Sequence, residues 1–153
     1  FYYSIGFGKD RVDTIELDII EFIYLLETNR INIRGVNNKL LEETYEKTNL
    51  YEYVVYYDLR RKGYIVRILK TETIKMFEVF KRNACIVSDE PFAYVIPLKA
   101  NQEIRIELLD QGLNISKERN KKLVIGVVDA LGDVTYYEIS EVLEEKTRLR
   151  MIF

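Results

Sequence analysis

The sequence lacks histidine altogether, and this absence excludes more chemistry than any other feature of its composition. Histidine is the side chain whose unperturbed pKa best suits proton transfer near neutral pH. The chain therefore cannot supply a Ser-His-Asp triad, a Cys-His pair or an imidazole-dependent ribonuclease mechanism of its own. Carboxylates, lysines and tyrosines are abundant, so catalysis by those groups stays open.

Cysteine is almost as scarce, since Cys85 is the single one and no internal disulfide can form. That count fits a reducing compartment, and we expect a cytoplasmic protein. Because metal ligands are few, we expect neither a metal nor another cofactor. No apolar run approaches the roughly 18 residues of a membrane span and no signal peptide is visible, which predicts no membrane association.

An excess of charge is also missing, because 23 basic residues against 25 acidic ones leave a net charge of −2. Without a global basic field, any RNA contact must be local or shared with a more basic partner. The 153 residues, 48% of them apolar, suffice for one ordinary domain or two small ones with a real core. The first residue is Phe1 rather than Met, so we expect the natural start to lie upstream.

The first third of the chain has mostly helical periodicity. Asp18 is a good N-cap and Glu21 completes a capping box, and the apolar spacing that follows predicts a helix over residues 18–28. A short strand at residues 31–34 and a polar helix at residues 38–47 are expected next.

From Asn49 onward the pattern changes to a helix followed by several strands. This helix is expected to bury Leu50, Tyr53, Val54 and Tyr57 and to end at Gly63. Strands are predicted at residues 64–69, 74–80, 83–87, 92–98, 123–128 and 134–139, with another helix near residues 103–119. The change in pattern places a domain boundary next to Asn49.

Two clusters on the helix after Asn49 allow two interpretations each. Its tyrosines fit core and core-edge positions, with base stacking as the alternative; they are Tyr51, Tyr53, Tyr56 and Tyr57. Its basic end suits the helix dipole in any case, with phosphate contact as the alternative; it consists of Arg60, Arg61 and Lys62.

Four stretches of the sequence, in order, resemble the archaeal tRNA-intron endonuclease family. They are GFGK with LDIIEFIYLLE in residues 6–27, YYDLRRKGYIVR in residues 56–67, FEVF in residues 77–80 and KKLVIGVVDALGDVTYYEI in residues 121–139. The second and the fourth are the specific ones. The resemblance implies an α+β fold, with a small N-terminal α/β domain (residues 1–48) and a nuclease-like C-terminal domain (residues 49–153) whose mixed β-sheet is flanked by helices.

The resemblance also implies a chemistry. The family cuts precursor tRNA at bulge–helix–bulge sites without metal, giving 2′,3′-cyclic phosphate and 5′-hydroxyl ends. A tyrosine acts as general base on the ribose 2′-hydroxyl, and a histidine protonates the leaving 5′ oxygen. A lysine fixed in place beforehand stabilises the charge that develops on the phosphorane.

Carried over to this sequence, the catalytic pattern is incomplete. The tyrosine position is Phe80, and the histidine position is Glu90 or Pro91. Phenylalanine has no hydroxyl and can neither take nor give a proton. The lysine position is retained as Lys121 with Lys122 beside it, and these two are candidates for RNA contact or for ordinary solvated lysines.

The turn at residues 129–133 has two interpretations. The resemblance implies an acidic loop that projects into a groove on a neighbouring subunit, and Asp129, Leu131 and Asp133 would then contact that partner. The alternative is a simple hairpin turn in which Gly132 takes a positive φ.

These observations favour a structural subunit that is not an enzyme on its own. It would form a heterotetramer, with two copies each of itself and of a catalytic endonuclease subunit, acting on precursor tRNA. One alternative is a self-sufficient endonuclease with a displaced active site, built for example on Tyr94 and Lys121. Another is a non-enzymatic RNA-binding module, which the balanced charge makes less favourable.

Overall fold

The structure is a computed structural model that describes residues 1–35, 37–142 and 147–152. After a 3₁₀ turn at Tyr3–Ile5, its elements are β1 (Lys9–Asp10), β2 (Ile15–Glu16), α1 (Ile19–Glu27), α2 (Asn38–Lys47), α3 (Leu50–Arg61), β3 (Ile65–Lys70), β4 (Lys75–Phe80), β5 (Ala93–Lys99), α4 (Ile106–Glu118), β6 (Lys122–Val128), β7 (Val134–Val142) and β8 (Thr147–Ile152). None of the helices in those ranges is long and apolar enough to cross a membrane.

The main sheet has six strands in the order β3-β4-β5-β6-β7-β8. Only the β5–β6 pair is parallel, and α4 forms the crossover that a parallel pair requires. The other neighbours are antiparallel, and β1 and β2 form a separate two-stranded sheet. This mixed sheet with helices confirms the α+β fold class.

Helices cover both faces of the sheet, and the sheet separates two hydrophobic cores. One core gathers side chains from α1, α3 and the sheet, including Tyr24, Tyr56 and Phe77. The other lies beneath α4, where Leu113 packs on the opposite face. The helix can approach closely because of Gly112, since a Cβ there would lie 2.8 Å from the Ile96 side chain.

The predicted capping box at the start of α1 is confirmed. The Asp18 carboxylate accepts from the Ile20 amide at 3.0 Å, and the Glu21 carboxylate accepts from the Asp18 amide at 2.8 Å. Glu21 also accepts from the Gly8 amide at 3.0 Å, which ties the N-terminal segment to α1. Burial of this carboxyl raises its pKa, and the two amide hydrogen bonds oppose the shift.

The predicted buried stripe of α3 is wrong for Leu50 and Tyr57, whereas Tyr53 and Val54 are partly buried against the core. Leu50 is 72% exposed and Tyr57 is 40% exposed. The fully buried apolar residues of the helix are Val55, Tyr56 and Leu59. The helix is rich in valine and tyrosine around its whole circumference, so two apolar stripes compete. Packing between α1 and the sheet selects the second one.

Two predicted strands are also absent. Residues 31–34 have no strand structure, although their alternation suggested it. Residues 83–87 form turns, because Asn83 takes a φ of +62° and the Asp89 carboxylate accepts from the Cys85 amide at 2.7 Å. Side-chain bonding to the local backbone there replaces strand pairing.

Candidate functional site

The three positions that the resemblance assigns to catalytic residues lie at one end of the main sheet. Phe80 is the last residue of β4, Glu90 and Pro91 shortly precede β5, and Lys121 directly precedes β6. Since β5 lies between β4 and β6 in the sheet, the register brings these segments side by side. Positions that are far apart in sequence therefore share one small region.

Phe80 fills its position with a buried hydrocarbon ring. Its side chain is only 2% exposed, and residues 76–79 of the same strand are buried as well. Ring packing alone accounts for the residue at this place. The position offers no atom that could exchange a proton with a substrate.

Lys121 is held by an acid instead of standing free. Its Nζ donates to Glu90 Oε2 at 3.0 Å, although the two residues are 31 positions apart. The Glu90 side chain is 81% exposed, so water screens the pair and its contribution to stability is about 0–1 kcal/mol. Its effect is mainly on local charge, because the carboxylate offsets the retained cation. Lys122 lies 3.9 Å from Glu138, which is a weaker contact.

Sequence reasoning missed a buried polar cluster on the neighbouring strands. Glu78 is 1% exposed and accepts from Arg67 at 2.6 Å and from Arg119 at 2.9 Å. Arg119 also donates to the Tyr94 hydroxyl oxygen at 2.8 Å. An acid inside the apolar β4 sequence was the available signal, because a buried carboxylate needs paired charges.

Tyr94 is placed unfavourably for proton transfer. The residue is fully buried, and its hydroxyl is engaged by Arg119. Burial raises the pKa of this hydroxyl, while the hydrogen bond from Arg119 acts in the opposite direction. A phenol whose pKa lies above its usual range is a poor general base near neutral pH.

The 129–133 turn is a well-bonded hairpin loop with an exposed tip. Asp129 Oδ1 accepts from the amides of Leu131 at 2.8 Å and Asp133 at 3.0 Å. Gly132 has a φ of +85°, as the hairpin interpretation requires. Leu131 is 88% exposed, and the Asp133 side chain is also on the surface. Asp129 therefore shapes the loop, while Leu131 and Asp133 form its outer surface.

Arg60 at the basic end of α3 is structural. It is 8% exposed, and its guanidinium donates to the carbonyls of Ile5 at 2.8 Å and Val66 at 2.7 Å. It also donates to the Tyr56 hydroxyl oxygen, and its Cζ lies 3.9 Å from the centre of the Phe7 ring. The alternative of phosphate contact is wrong for this residue, since its donors are used inside the fold.

The acidic residues do not form a metal centre in the described ranges. No three His, Cys, Asp or Glu side chains there lie close enough together to hold a metal ion. Asp89 and Glu90 are adjacent in sequence, but one binds a backbone amide and the other binds Lys121. The arrangement at this sheet end is thus one of ion pairs and packed rings.

The fold and this sheet end define an α+β protein whose candidate residues lie at the ends of three neighbouring strands. Comparison with known families matches the tRNA intron endonuclease N-terminal domain over residues 1–45 and the tRNA intron endonuclease catalytic C-terminal domain over residues 49–136. The chain belongs to the tRNA intron endonuclease family.

Relatives named tRNA-splicing endonuclease occur in several archaea. The chain is 29% identical to the Methanosarcina acetivorans protein over 145 residues, covering 90% of this chain and 40% of that protein. It is 30% identical to the Methanococcus vannielii protein over 144 residues, which cover 87% of this chain and 78% of that protein. It is 26% identical to the Pyrococcus horikoshii protein over 148 residues, which cover 90% of this chain and 82% of that protein. The chain thus spans well under half the length of the Methanosarcina relative.

Proposed function

We propose that this chain is a structural subunit of a tRNA-splicing endonuclease and leaves the cutting to a catalytic paralogue. The observation that carries the proposal is Phe80, a buried ring without a hydroxyl at the position of the family's general base. The paralogue supplies tyrosine, histidine and lysine, and it cleaves precursor tRNA at bulge–helix–bulge sites. The products are 2′,3′-cyclic phosphate and 5′-hydroxyl ends.

The other two catalytic positions support the same proposal. The resemblance places the histidine position at Glu90 or Pro91, and the sequence contains no histidine that could replace it from elsewhere. The retained Lys121 is paired with Glu90, so its charge is offset where a developing phosphorane would need it. A site without base or acid loses both proton transfers of the reaction, and each is worth about 10²–10⁴-fold.

The proposed assembly is a heterotetramer with two copies of each subunit. The loop at residues 129–133 supports it, because an internally bonded turn presents Leu131 and Asp133 outward. An exposed leucine beside an acid suits a socket that is partly apolar and partly basic on the catalytic partner.

A self-sufficient enzyme built on Tyr94 and Lys121 is less well supported. The Tyr94 hydroxyl is buried against Arg119, and Lys121 is bonded to Glu90. Neither group has the free, exposed reacting atom that a displaced active site needs. Exposure of both would require opening a packed core and breaking an ion pair.

The test mixes the purified chain with a candidate catalytic paralogue and measures cleavage of precursor tRNA in the presence of a chelator. We expect no cleavage by the chain alone across about pH 5–9, where His, Glu and Lys catalysts would all show activity. The mixture should cleave and should sediment as one particle. Chelator-resistant cleavage by the chain alone, in a preparation free of other nucleases, would overturn the proposal.

A further inference from the structure

Strand β3 is an outer strand of the six-stranded sheet, and its free edge borders an open groove of about 380 Å³. Ile68 and Lys70 line the groove on the β3 side, and the β1–β2 ribbon and the start of α1 line the other side. The volume lies within the range of small-ligand sites. None of the lining residues belongs to the candidate catalytic positions or to the 129–133 loop.

The register of β3 against β4 shows which way its backbone groups point. Val79, which lies opposite Val66, accepts from the Phe92 amide at 2.9 Å, so its backbone faces β5. Hydrogen bonding alternates along antiparallel strands, and Val66 therefore directs its own N–H and C=O away from β4. Its carbonyl accepts from the Arg60 guanidinium at 2.7 Å, which agrees with that direction.

Ile68 and Lys70 follow Val66 at intervals of two and have the same orientation. Within the part of the chain that the structure describes, the outward N–H and C=O groups of these two residues have no hydrogen-bond partner. Such groups on an outer strand are a template for another strand, which supplies the missing donors and acceptors at the same spacing. The hydrogen-bonding pattern of the groove thus fits an extended polypeptide.

The side chains around the groove restrict which segment fits. Leu17, Ile19 and Ile68 are partly buried against the same core and form the apolar part of the lining. Lys70 is exposed, lies on the same face of β3 as Ile68, and forms no ion pair with any described side chain. A segment paired with β3 would place an apolar residue on the apolar lining and, two positions along, an acid beside the lysine.

Three acids also line the groove, but each is bonded within the fold. Glu16 pairs with Arg11 at 2.7 Å, and Lys9 lies opposite it in the β1–β2 ribbon. Glu21 accepts from two backbone amides, and Asp18 caps α1. The acids are therefore occupied, whereas the positive charge at the end of β3 is not.

We propose that the outer edge of β3 binds an extended segment of a partner protein as an added strand. The segment forms backbone hydrogen bonds with Ile68 and Lys70, and it carries an apolar residue and an acid two positions apart. The groove contains none of the candidate catalytic positions, so this proposal does not rest on the proposed function.

The probe is a fluorescein-labelled peptide of sequence Ser-Thr-Val-Thr-Glu-Thr-Ser, whose valine and glutamate lie on one face of an extended strand. In fluorescence anisotropy we expect it to bind the chain with a Kd below about 1 mM. Two further probes carry N-methyl groups on alternate peptide nitrogens. Methyl groups on the nitrogens that face β3 remove donors and should weaken binding at least about tenfold, whereas those on the other set should have little effect.

Two substitutions at Lys70 separate the charge from the backbone. Lys70→Ala removes the ammonium group and should weaken binding about two- to fivefold. Lys70→Pro also removes the outward N–H and should weaken binding about two- to tenfold more, since an outer strand accepts proline where the N–H faces away from the sheet. Lys47→Ala on α2 makes the same charge change outside the groove and should leave the affinity unchanged. Circular dichroism verifies the fold of each variant, and the methylated peptides test the same hydrogen bonds on the unaltered protein.

Three results would overturn the proposal. They are no peptide binding up to about 1 mM, equal effects of the two methylated probes, and unchanged binding in both Lys70→Ala and Lys70→Pro. A single-stranded oligoribonucleotide that displaces the peptide would indicate a phosphate-binding surface and would also count against an added strand. Assembly with a catalytic paralogue is measured without the peptide, so the proposed function and the β3 site can each fail alone.

Discussion

Restoring the missing hydroxyl is the most direct perturbation of the candidate catalytic position. Phe80→Tyr adds one oxygen to a ring that is 2% exposed. We expect this variant to remain inactive, because no acid stands across the scissile bond from the new base. Glu90→His and Pro91→His are the two substitutions that would add such an acid. Glu90→His also releases Lys121 from its ion pair, whereas Pro91→His leaves that pair in place.

The expected loss of stability and the expected gain in cleavage rate can be estimated separately. A hydroxyl buried without a partner costs about 1–3 kcal/mol. For a chain of this size each kcal/mol lowers Tm by about 2–4 °C, so Phe80→Tyr should lower Tm by roughly 2–12 °C. A positioned general acid is worth about 10²–10⁴-fold in rate. Phe80→Tyr combined with the correct histidine should exceed Phe80→Tyr alone by a factor in that range.

The assay places these variants in a complex whose catalytic partner has been inactivated at its own tyrosine. All remaining cleavage of precursor tRNA then belongs to this chain, and end analysis identifies the 2′,3′-cyclic phosphate. Thermal unfolding of each variant supplies the stability control. Robust cleavage by Phe80→Tyr alone would refute the assignment of the histidine position. Failure of both double variants in folded, fully assembled complexes would show that Phe80 does not stand at the scissile phosphate.

Three other substitutions test the described contacts. Glu78→Gln leaves two arginines without their counter-ion and should lower the free energy of unfolding by about 2 kcal/mol, as measured by thermal unfolding. The control Glu118→Gln changes an exposed side chain and should leave the free energy of unfolding unchanged. Arg60→Met removes the donors to the buried Val66 carbonyl and the partly buried Ile5 carbonyl, and it should cost about 2–4 kcal/mol and expose the N-terminal segment to proteolysis. Loss of RNA binding without loss of stability would contradict this, and Arg61→Met is the control. Leu131→Arg/Asp133→Lys should dissociate the mixed complex in sedimentation while circular dichroism stays native, because like charges at a socket cost several kcal/mol. The same pair of changes at Val12 and Asp13, in the exposed β1–β2 turn, should leave the complex intact, and equal effects in the two loops would contradict the interface.

The sequence allowed prediction of those elements whose signals are local. The α1 boundary followed from Asp18 and Glu21, whose hydrogen bonds form within one turn of helix. The buried face of α3 could not be predicted, because valines and tyrosines surround the helix and only the position of α1 and the sheet decides between them. The strand expected at residues 83–87 failed because the Asp89 side chain bonds the backbone of a turn.

The candidate site could likewise be predicted only in part, because some of its contacts depend on the tertiary fold. The resemblance located Phe80 and Lys121. The Lys121–Glu90 ion pair could not be predicted from a periodic pattern, because it joins residues that are 31 positions apart in the sequence. The cluster around Glu78 was closer to prediction. A lone acid in an apolar strand demands partners, although Arg67 and Arg119 become identifiable only when the strand register and the end of α4 are known.

Phe80 and Glu90 explain together how the proposed structural subunit keeps the family fold without its chemistry. Losing only the hydroxyl of a buried tyrosine preserves the ring that packs beneath the sheet end, so the core tolerates the change. If the histidine position is Glu90 and not Pro91, a carboxylate in place of an imidazole pairs with Lys121. Under this proposal Phe80 lacks the hydroxyl that would transfer a proton, and the Glu90 carboxylate is engaged by Lys121. The hydrogen bonds that shape the 129–133 loop are present all the same. Under this proposal the surface that assembles the particle is retained after the residues that cut are gone.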